Sequence, residues 1–527
     1  MNTAASPPHE GCMMFVQFPG ALERTAIHRF VLGEDREPRA LSAGEAAAEL
    51  GDPFATLLLL KGIFPGTAGD VLDALRDATD PADSLRQTQF FLLGEGSQIT
   101  LTPETAEVQR DLRFLVSCGG GPDGPDIILS AFHPEQSDVE VMAWDHDHGG
   151  FNYYRTVGNT RAWVFAGNAR HALSDPTQGN GPFEAHHSGA FLMKELRAPW
   201  INWHSPDANI QPSVFAEDDA LRTHEWFVNK APLGAFTCET TVARPAITRW
   251  AKARLGAVAA GGTISDPARI LRQVLESAAV NLVTSHTESA NAPNVEAVDL
   301  PQTFFVDSEA LTELLGLAAP APINVPAAIY RQALETFGVT FTDGRSFTRP
   351  GDTHFAFCVP ERAFEDQAVI AQAMRAGLLS DRLVAALLMT DFPNPIFSDR
   401  RAALLRYVPA TATVVDRRSD FSETMANAIL TAAEPTPEGS PEREFASLWS
   451  AGHQWRERFG ELLSAYYAAV TTQVATQDGF DAFMRLAEAR RDVVRPMPIT
   501  ESQMLFATTN IGQGRRRMRA DATVEEV

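Results

Sequence analysis

Between residues 87 and 167 the chain is cut into short apolar runs, several of which alternate with polar positions at a period of two. They read as six strands: QTQFFLL (87–93), RFLVSC (113–118), DIILSAF (126–132), VEVMAWD (139–145), GFNYYRT (150–156) and AWVFAG (162–167). From the second strand onward the joints are brief and rich in turn formers (GGGPDGP, HPEQSD, HDHG, VGNTR). Joints that short cannot hold a crossover helix, so the strands are predicted to run as an antiparallel meander. One face is expected toward a core and the other toward solvent or a neighbouring layer. Upstream, AIHRFVLG (26–33) and CMMFVQF (12–18) read as short β segments, and the apolar run 57–60 suits a buried strand, with a helix equally allowed by its periodicity. TAGDVLDALR (67–76) reads as a helix capped by Thr67.

After residue 244 the period changes from two to that of a helix. Pro245 suits a first helical turn, and Asp266-Pro267 opens an amphipathic stripe through Ile270, Leu271, Val274, Leu275 and Ala278. Helical patterns recur up to a long one at 442–475. Residues 286–300 read as an exposed connection, GVTFTDGRSF and DTHFAFCV as a small hairpin, and the two prolines around Asn394 as a rigid turn. The predicted fold class is α+β: an N-terminal antiparallel β-meander with a loop-rich insert, followed by a mostly α-helical C-terminal half. The boundaries are 1–243 for the β-rich domain, with its insert at 168–230, then 244–510 for the helical domain and 511–527 for a mobile charged tail.

Composition narrows the function classes. At 527 residues, 44% hydrophobic and 21% charged, the chain has globular proportions and no run of eighteen apolar residues, so neither a membrane span nor membrane association is expected. The first residues carry neither a basic nor an apolar signal region, and a cytoplasmic location is expected. A net charge of −23 repels phosphate backbones and disfavours nucleic acid as a partner. The four cysteines, Cys12, Cys118, Cys238 and Cys358, stand more than a hundred residues apart, which excludes CxxC pairs and argues for buried thiols. Neither GxxxxGK[ST] nor a strand-GxGxxG-helix occurs, so no nucleotide cofactor is expected.

The densest candidate chemistry lies in GPFEAHHSGAFLMKELRAPWINWHSPDANI (181–210). His186 and His187 follow a glycine-rich loop and open a predicted short helix near 188–196, and His204 lies just beyond Pro199. Met193 stands two helical turns from His186, and Trp200 and Trp203 supply aromatic surroundings. Three imidazoles in one local substructure suit iron, copper or zinc, or two of them the axial positions of a haem. Residues 182–186 occupy the frame of a CxxCH haem-attachment motif, but Pro182 and Ala185 stand where the cysteines belong, which excludes covalent attachment there.

The leading expectation is therefore a metal- or haem-dependent oxidoreductase acting on an apolar or aromatic small molecule. Iron would be held by His186, His187 and His204, with Met193, Trp200 and Trp203 against the cofactor and His171 and His224 as reserve ligands. The alternative is a non-catalytic binding or assembly protein in which this loop is packed. A third reading, a hydrolase or transferase using Cys238 or a serine with His204 or His224, has no nucleophile motif behind it. Asp145-His146-Asp147-His148 has metal-binding composition, yet it sits between two strands with glycines behind it and reads first as a hairpin turn.

Overall fold

A computed structural model describes residues 22–95, 103, 111–121, 123–157, 160–173, 217, 219–230, 232–276, 280–283, 285, 295–319, 321–342, 348–351, 357–494 and 507–527. Its centre is a mixed sheet of eight strands: β1 (Ile27–Arg29), β2 (Arg39–Ala40), β3 (Thr88–Glu95), β4 (Asp111–Cys118), β5 (Ile127–Ala131), β6 (Val139–Asp145), β7 (Gly150–Val157) and β8 (Ala162–Asn168). Their order is β2-β1-β8-β7-β6-β5-β4-β3. From β3 to β8 each strand pairs antiparallel with the next, the meander expected from the short joints. The mixed character comes from β1, which runs parallel to β8 with Ile27 opposite Trp163.

Both faces of this sheet are buried. One carries Leu92, Phe114, Val116, Leu129, Val141 and Tyr154, and the other Phe91, Leu115, Ile128, Met142, Phe151 and Tyr153. The first is covered by α1 (Ala43–Glu49), α2 (Pro53–Leu57) and α3 (Ala68–Ala78). Residues 57–60 are thus not a strand. Asp52 caps a helix that Pro53 opens, and the apolar run completes it and a 3₁₀ turn, burying Leu58 and Leu59 while Leu60 stays exposed. Phe54 of α2 meets Tyr154 and Trp163 edge to face at 5.2 and 4.9 Å.

Asp52 is the anchor of this cover. Its carboxylate is fully buried, accepts the Ala55 N–H at 3.0 Å, and takes the Tyr154 hydroxyl and the Asn152 amide from β7. Burial pushes its pKa up, against the pull of those donors. Asn152 also reaches toward Asp145, which closes the β6–β7 turn by accepting from the Asp147 and His148 N–H groups at 3.0 and 2.9 Å. Asp145 further takes the His148 ring at 2.8 Å and the Gly51 N–H at 2.9 Å. Burial opposes its charge, but these donors together bring its pKa below the usual value. The Asp145–His148 string is the hairpin turn expected, and its acid also fastens the chain entering α2.

α4 (Ala220–Thr223) and α5 (Glu225–Val228) join this first cover through Leu221, Trp226 and Phe227. On the other face lie α6 (Ala235–Cys238), α7 (Arg244–Ala260) and α8 (Pro267–Leu275) in sequence, of which α7 packs Ala246, Ile247 and Trp250 into the sheet's apolar cluster. Pro245 falls in the first turn of α7, as expected, but no loop precedes it. A π-helical turn, Glu239–Ala243, leads in directly from α6 and accommodates the ring where a tighter turn would clash. The expected boundary at 243/244 therefore lies inside one helical run. A single apolar cluster extends from Phe91 to Ala522.

Elsewhere the helical half departs from expectation in five places. The pattern at 442–475 is two helices, Pro441–Trp449 and Trp455–Val474, broken where Gly452 takes a φ of +57°. A further helix, Gln477–Val494, was not expected. Thr340–Thr342 pairs with Thr348–Pro350, whereas Val359–Arg362 pairs with Val280–Val283, so the two predicted hairpin arms are not partners. Within the predicted connection 286–300, Ala297–Leu300 is a strand paired with Ile323–Pro326. Finally, 511–527, expected as a mobile charged tail, carries a hairpin of Arg516–Met518 and Val524–Glu526, and buried Met518 exchanges two 2.9 Å backbone hydrogen bonds with the Asn394 amide.

Charged groups lie deep in this half. Arg401 donates to the carbonyls of Asn394 and Pro395 at 2.9 and 2.7 Å, Arg490 to those of Pro393 and Phe304, and Arg362 to the Pro395 carbonyl and the Asp307 carboxylate. These guanidiniums hold the Pro-Asn-Pro turn rigid, as its sequence predicts. Burial lowers Arg401 and Arg490 to about 10, so both stay charged at neutral pH. A second π turn, Glu309–Leu314, opens on Glu309, and the charge of Arg244 is felt by Glu239, Glu309 and Glu361 together. Burial, and next the Glu361 charge, push Glu309 up to about 7.

Because the folded value lies above the ordinary 4.5, the bound proton stabilises the fold fully below that pH, and the contribution is lost as pH rises through about 7. At about 1.4 kcal/mol per unit it is on the order of 3 kcal/mol. Urea unfolding at pH 5 and pH 8 should show the wild type losing stability with rising pH and Glu309→Gln losing much less. Parallel curves for the two proteins would refute the assignment.

Candidate functional site

His186, His187, His204, Met193, Trp200 and Trp203 lie outside the described residues, as does the helix expected near 188–196. The reserve ligands are described, and both are engaged. His171, in a 3₁₀ turn after β8, accepts the Asn168 N–H on Nδ1 at 3.0 Å and has Nε2 3.8 Å from Glu34. Burial lowers its pKa, against the raising charge of Glu34. His224 caps α5: its Nδ1 accepts the Trp226 N–H at 3.2 Å, which leaves Nε2 to donate toward Glu135 at 3.4 Å. The two histidines sit toward opposite edges of the sheet, so they do not converge. Among the described residues no group of three or more His, Cys, Asp or Glu side chains is arranged to hold a metal ion.

Cys118 and Cys238 are buried. Burial alone pushes the Cys118 thiol up to about 12, and burial together with Glu239 raises Cys238 further. Neither supplies a thiolate at neutral pH, which removes Cys238 as the nucleophile of the third reading. The strand aromatics Trp144, Tyr153, Tyr154 and Trp163 are buried in the two layers, the packing role their strand positions predict.

What the structure brings together is a cavity of about 350 Å³ between α3, the β3 and β4 strands and α5. Its apolar side is built by Leu72 and Leu75 of α3, Leu85, Phe90 of β3, Cys118 of β4 and Trp226 of α5. Trp226 meets Phe90 at 5.1 Å and Phe114 at 5.7 Å, both edge to face, so its ring is fixed by two strands. The rim is polar and of both signs: Asp73, Arg76, Arg86, Glu135, Glu225 and Lys230. Lys230 places its ammonium 5.6 Å from the Phe90 ring centre. His133, 5.8 Å from the His224 ring, is lowered by burial and by His224.

Such a cavity suits a small molecule with an apolar or aromatic body and a polar end. The sequence marked only His224 of its lining. Its other walls come from α3, β3, β4 and the β5–β6 link, brought together by folding alone. No family model, curated protein or solved structure matches this chain.

The cap at α5 separates a structural from a ligating histidine. His224→Ala should lower stability by about 1 kcal/mol in denaturant unfolding, and His224→Asp, which can still accept the Trp226 N–H, should recover most of it. An equal loss in both variants would contradict the capping role.

Proposed function

We propose that the protein binds an apolar or aromatic small molecule in the cavity beside Trp226 and acts on it as an iron- or haem-dependent oxidoreductase. The observation that carries the reading is the cavity itself, lined by the aromatic rings of Phe90 and Trp226. His186, His187 and His204 precede Trp226 in the sequence. His171 and His224 are committed to local hydrogen bonds, so the ligand set would fall to that trio. Met193, Trp200 and Trp203 would pack against the group, and the bound iron would supply the redox chemistry that no described side chain offers.

A second reading, non-catalytic binding of the same class of molecule, is favoured by the engagement of both reserve histidines. One preparation separates the two. The protein, purified without a histidine tag, is examined by ultraviolet–visible spectroscopy and elemental analysis, and titrated with small aromatic acids and amines while Trp fluorescence is followed. A Soret band or stoichiometric iron that vanishes in His186→Ala, His187→Ala or His204→Ala is the expected result. Metal-free, folded protein that still binds an aromatic ligand, with affinity lost in Lys230→Ala, selects the non-catalytic reading. Metal-free protein that binds none of them rejects both.

A further inference from the structure

A second cleft, of about 370 Å³, opens between the Asp391 turn, the last turns of Gln477–Val494 and the 516–526 hairpin. It gathers five guanidinium groups, Arg400, Arg490, Arg515, Arg516 and Arg517, in a chain of net charge −23. Long-range repulsion of anions is screened beyond roughly 10 Å at physiological salt, so the local cations decide what enters.

These cations differ in how firmly they are held. Arg490 is buried and donates to the carbonyls of Phe304 and Pro393; no carboxylate lies within 4 Å of it among the described residues. Arg515 and Arg516 instead pair with Asp399 at 2.7 Å and Glu526 at 3.1 Å, carboxylates that are 71% and 81% exposed. The Arg515–Asp399 pair is exposed on both sides and such pairs are worth about 0–1 kcal/mol, so a bound anion can replace it at little cost; Arg516 is itself only 10% exposed, but its carboxylate partner stands in solvent. Arg400 is shared with Glu444 at 2.8 Å, and Arg517 with Glu525.

Three carboxylates line the same cleft, Asp391, Asp399 and Asp492. Asp391 is turned to the Asn394 amide and the Ser398 hydroxyl, and Asp399 to Arg515. The wall is also strained. Phe397 sits at a φ of 55°, a region costly for a side chain of that bulk, Asp391 takes 54°, which an aspartate tolerates, and Arg401 braces the turn between them. A braced, strained turn beside a cluster of cations is the kind of preorganisation an oxyanion site uses.

We propose that this cleft binds a small polyanion, one bearing phosphoryl groups or clustered carboxylates, by displacing Asp399 and Glu526 from Arg515 and Arg516. Within the bound state Arg490 supplies the fixed positive charge at the floor, and Arg515 and Arg516 close over the anion from the hairpin. The site is separate from the Trp226 cavity and does not depend on the function proposed for it.

Isothermal titration of the full chain with inorganic pyrophosphate and with citrate, at low and at physiological salt, tests this. At least one should bind, more weakly as salt rises, and which one binds distinguishes phosphoryl from carboxylate recognition. Arg515→Gln and Arg516→Gln should each weaken binding by about tenfold. Glu526→Gln, which removes the internal competitor, should strengthen it. Arg515 is 72% exposed, so its variant keeps the test valid should Arg516→Gln disturb the hairpin. Absence of binding by both anions, binding indifferent to Arg515→Gln, or weakening by Glu526→Gln overturns the proposal.

Discussion

A sheet that is apolar on both faces needs a cover on each, and most of this architecture follows from that requirement. Leu92, Phe114 and Val141 point one way, and Phe91, Leu115 and Met142 the other. At about 25 cal/mol per Å² of apolar surface, neither set can be left in water. The N-terminal helices meet one demand and α7, with the helical half behind it, meets the other. The polar fastenings sit where the covers attach. Asp52 and Asp145 lock α2 to β7, each fully enclosed and each saturated with donors, because a buried carboxylate without them would be costly. The helical half repeats the device with opposite sign, its buried guanidiniums facing backbone carbonyls around the Pro-Asn-Pro turn.

The sheet was legible because its information is local. Each of the six meander strands shows its own apolar run between turn formers, and antiparallel neighbours need no knowledge of distant residues. Where partners are distant, local pattern misled. Residues 57–60 carry four apolar side chains that suit a strand as well as a helix, and only the Asp52-Pro53 start tips the balance. Of the second arm expected at 352–359, Val359 finds its partner in Val283, more than seventy residues back, while 352–356 lie outside the described residues. Met518 and Asn394 meet across an even longer interval, so nothing near 516–526 announces that this charged segment is tied down.

Both cavities share that limit. His224 stood out as a histidine, yet what defines its surroundings is the meeting of α3, β3, β4 and α5, none of which carries a motif. The basic run Arg515–Arg519 is plain in the sequence. Its pairing with an acidic neighbour strand, and the cleft it borders, depend on the hairpin that local pattern did not suggest.

The parallel placement of β1 has a consequence for how the molecule assembles. Its partner β8 lies 136 residues further along the chain, with Ile27 opposite Trp163. During synthesis, at roughly 5–20 residues per second, β1 emerges many seconds before β8 and has until then only the two-residue β2 to pair with. The meander can zip from hairpin to hairpin in the meantime, with only short loops to close. The last edge of the sheet is therefore added by the segment made earliest. Until β8 emerges, Ile27 and His28, both buried in the finished fold, are unsheltered and open to association with other chains.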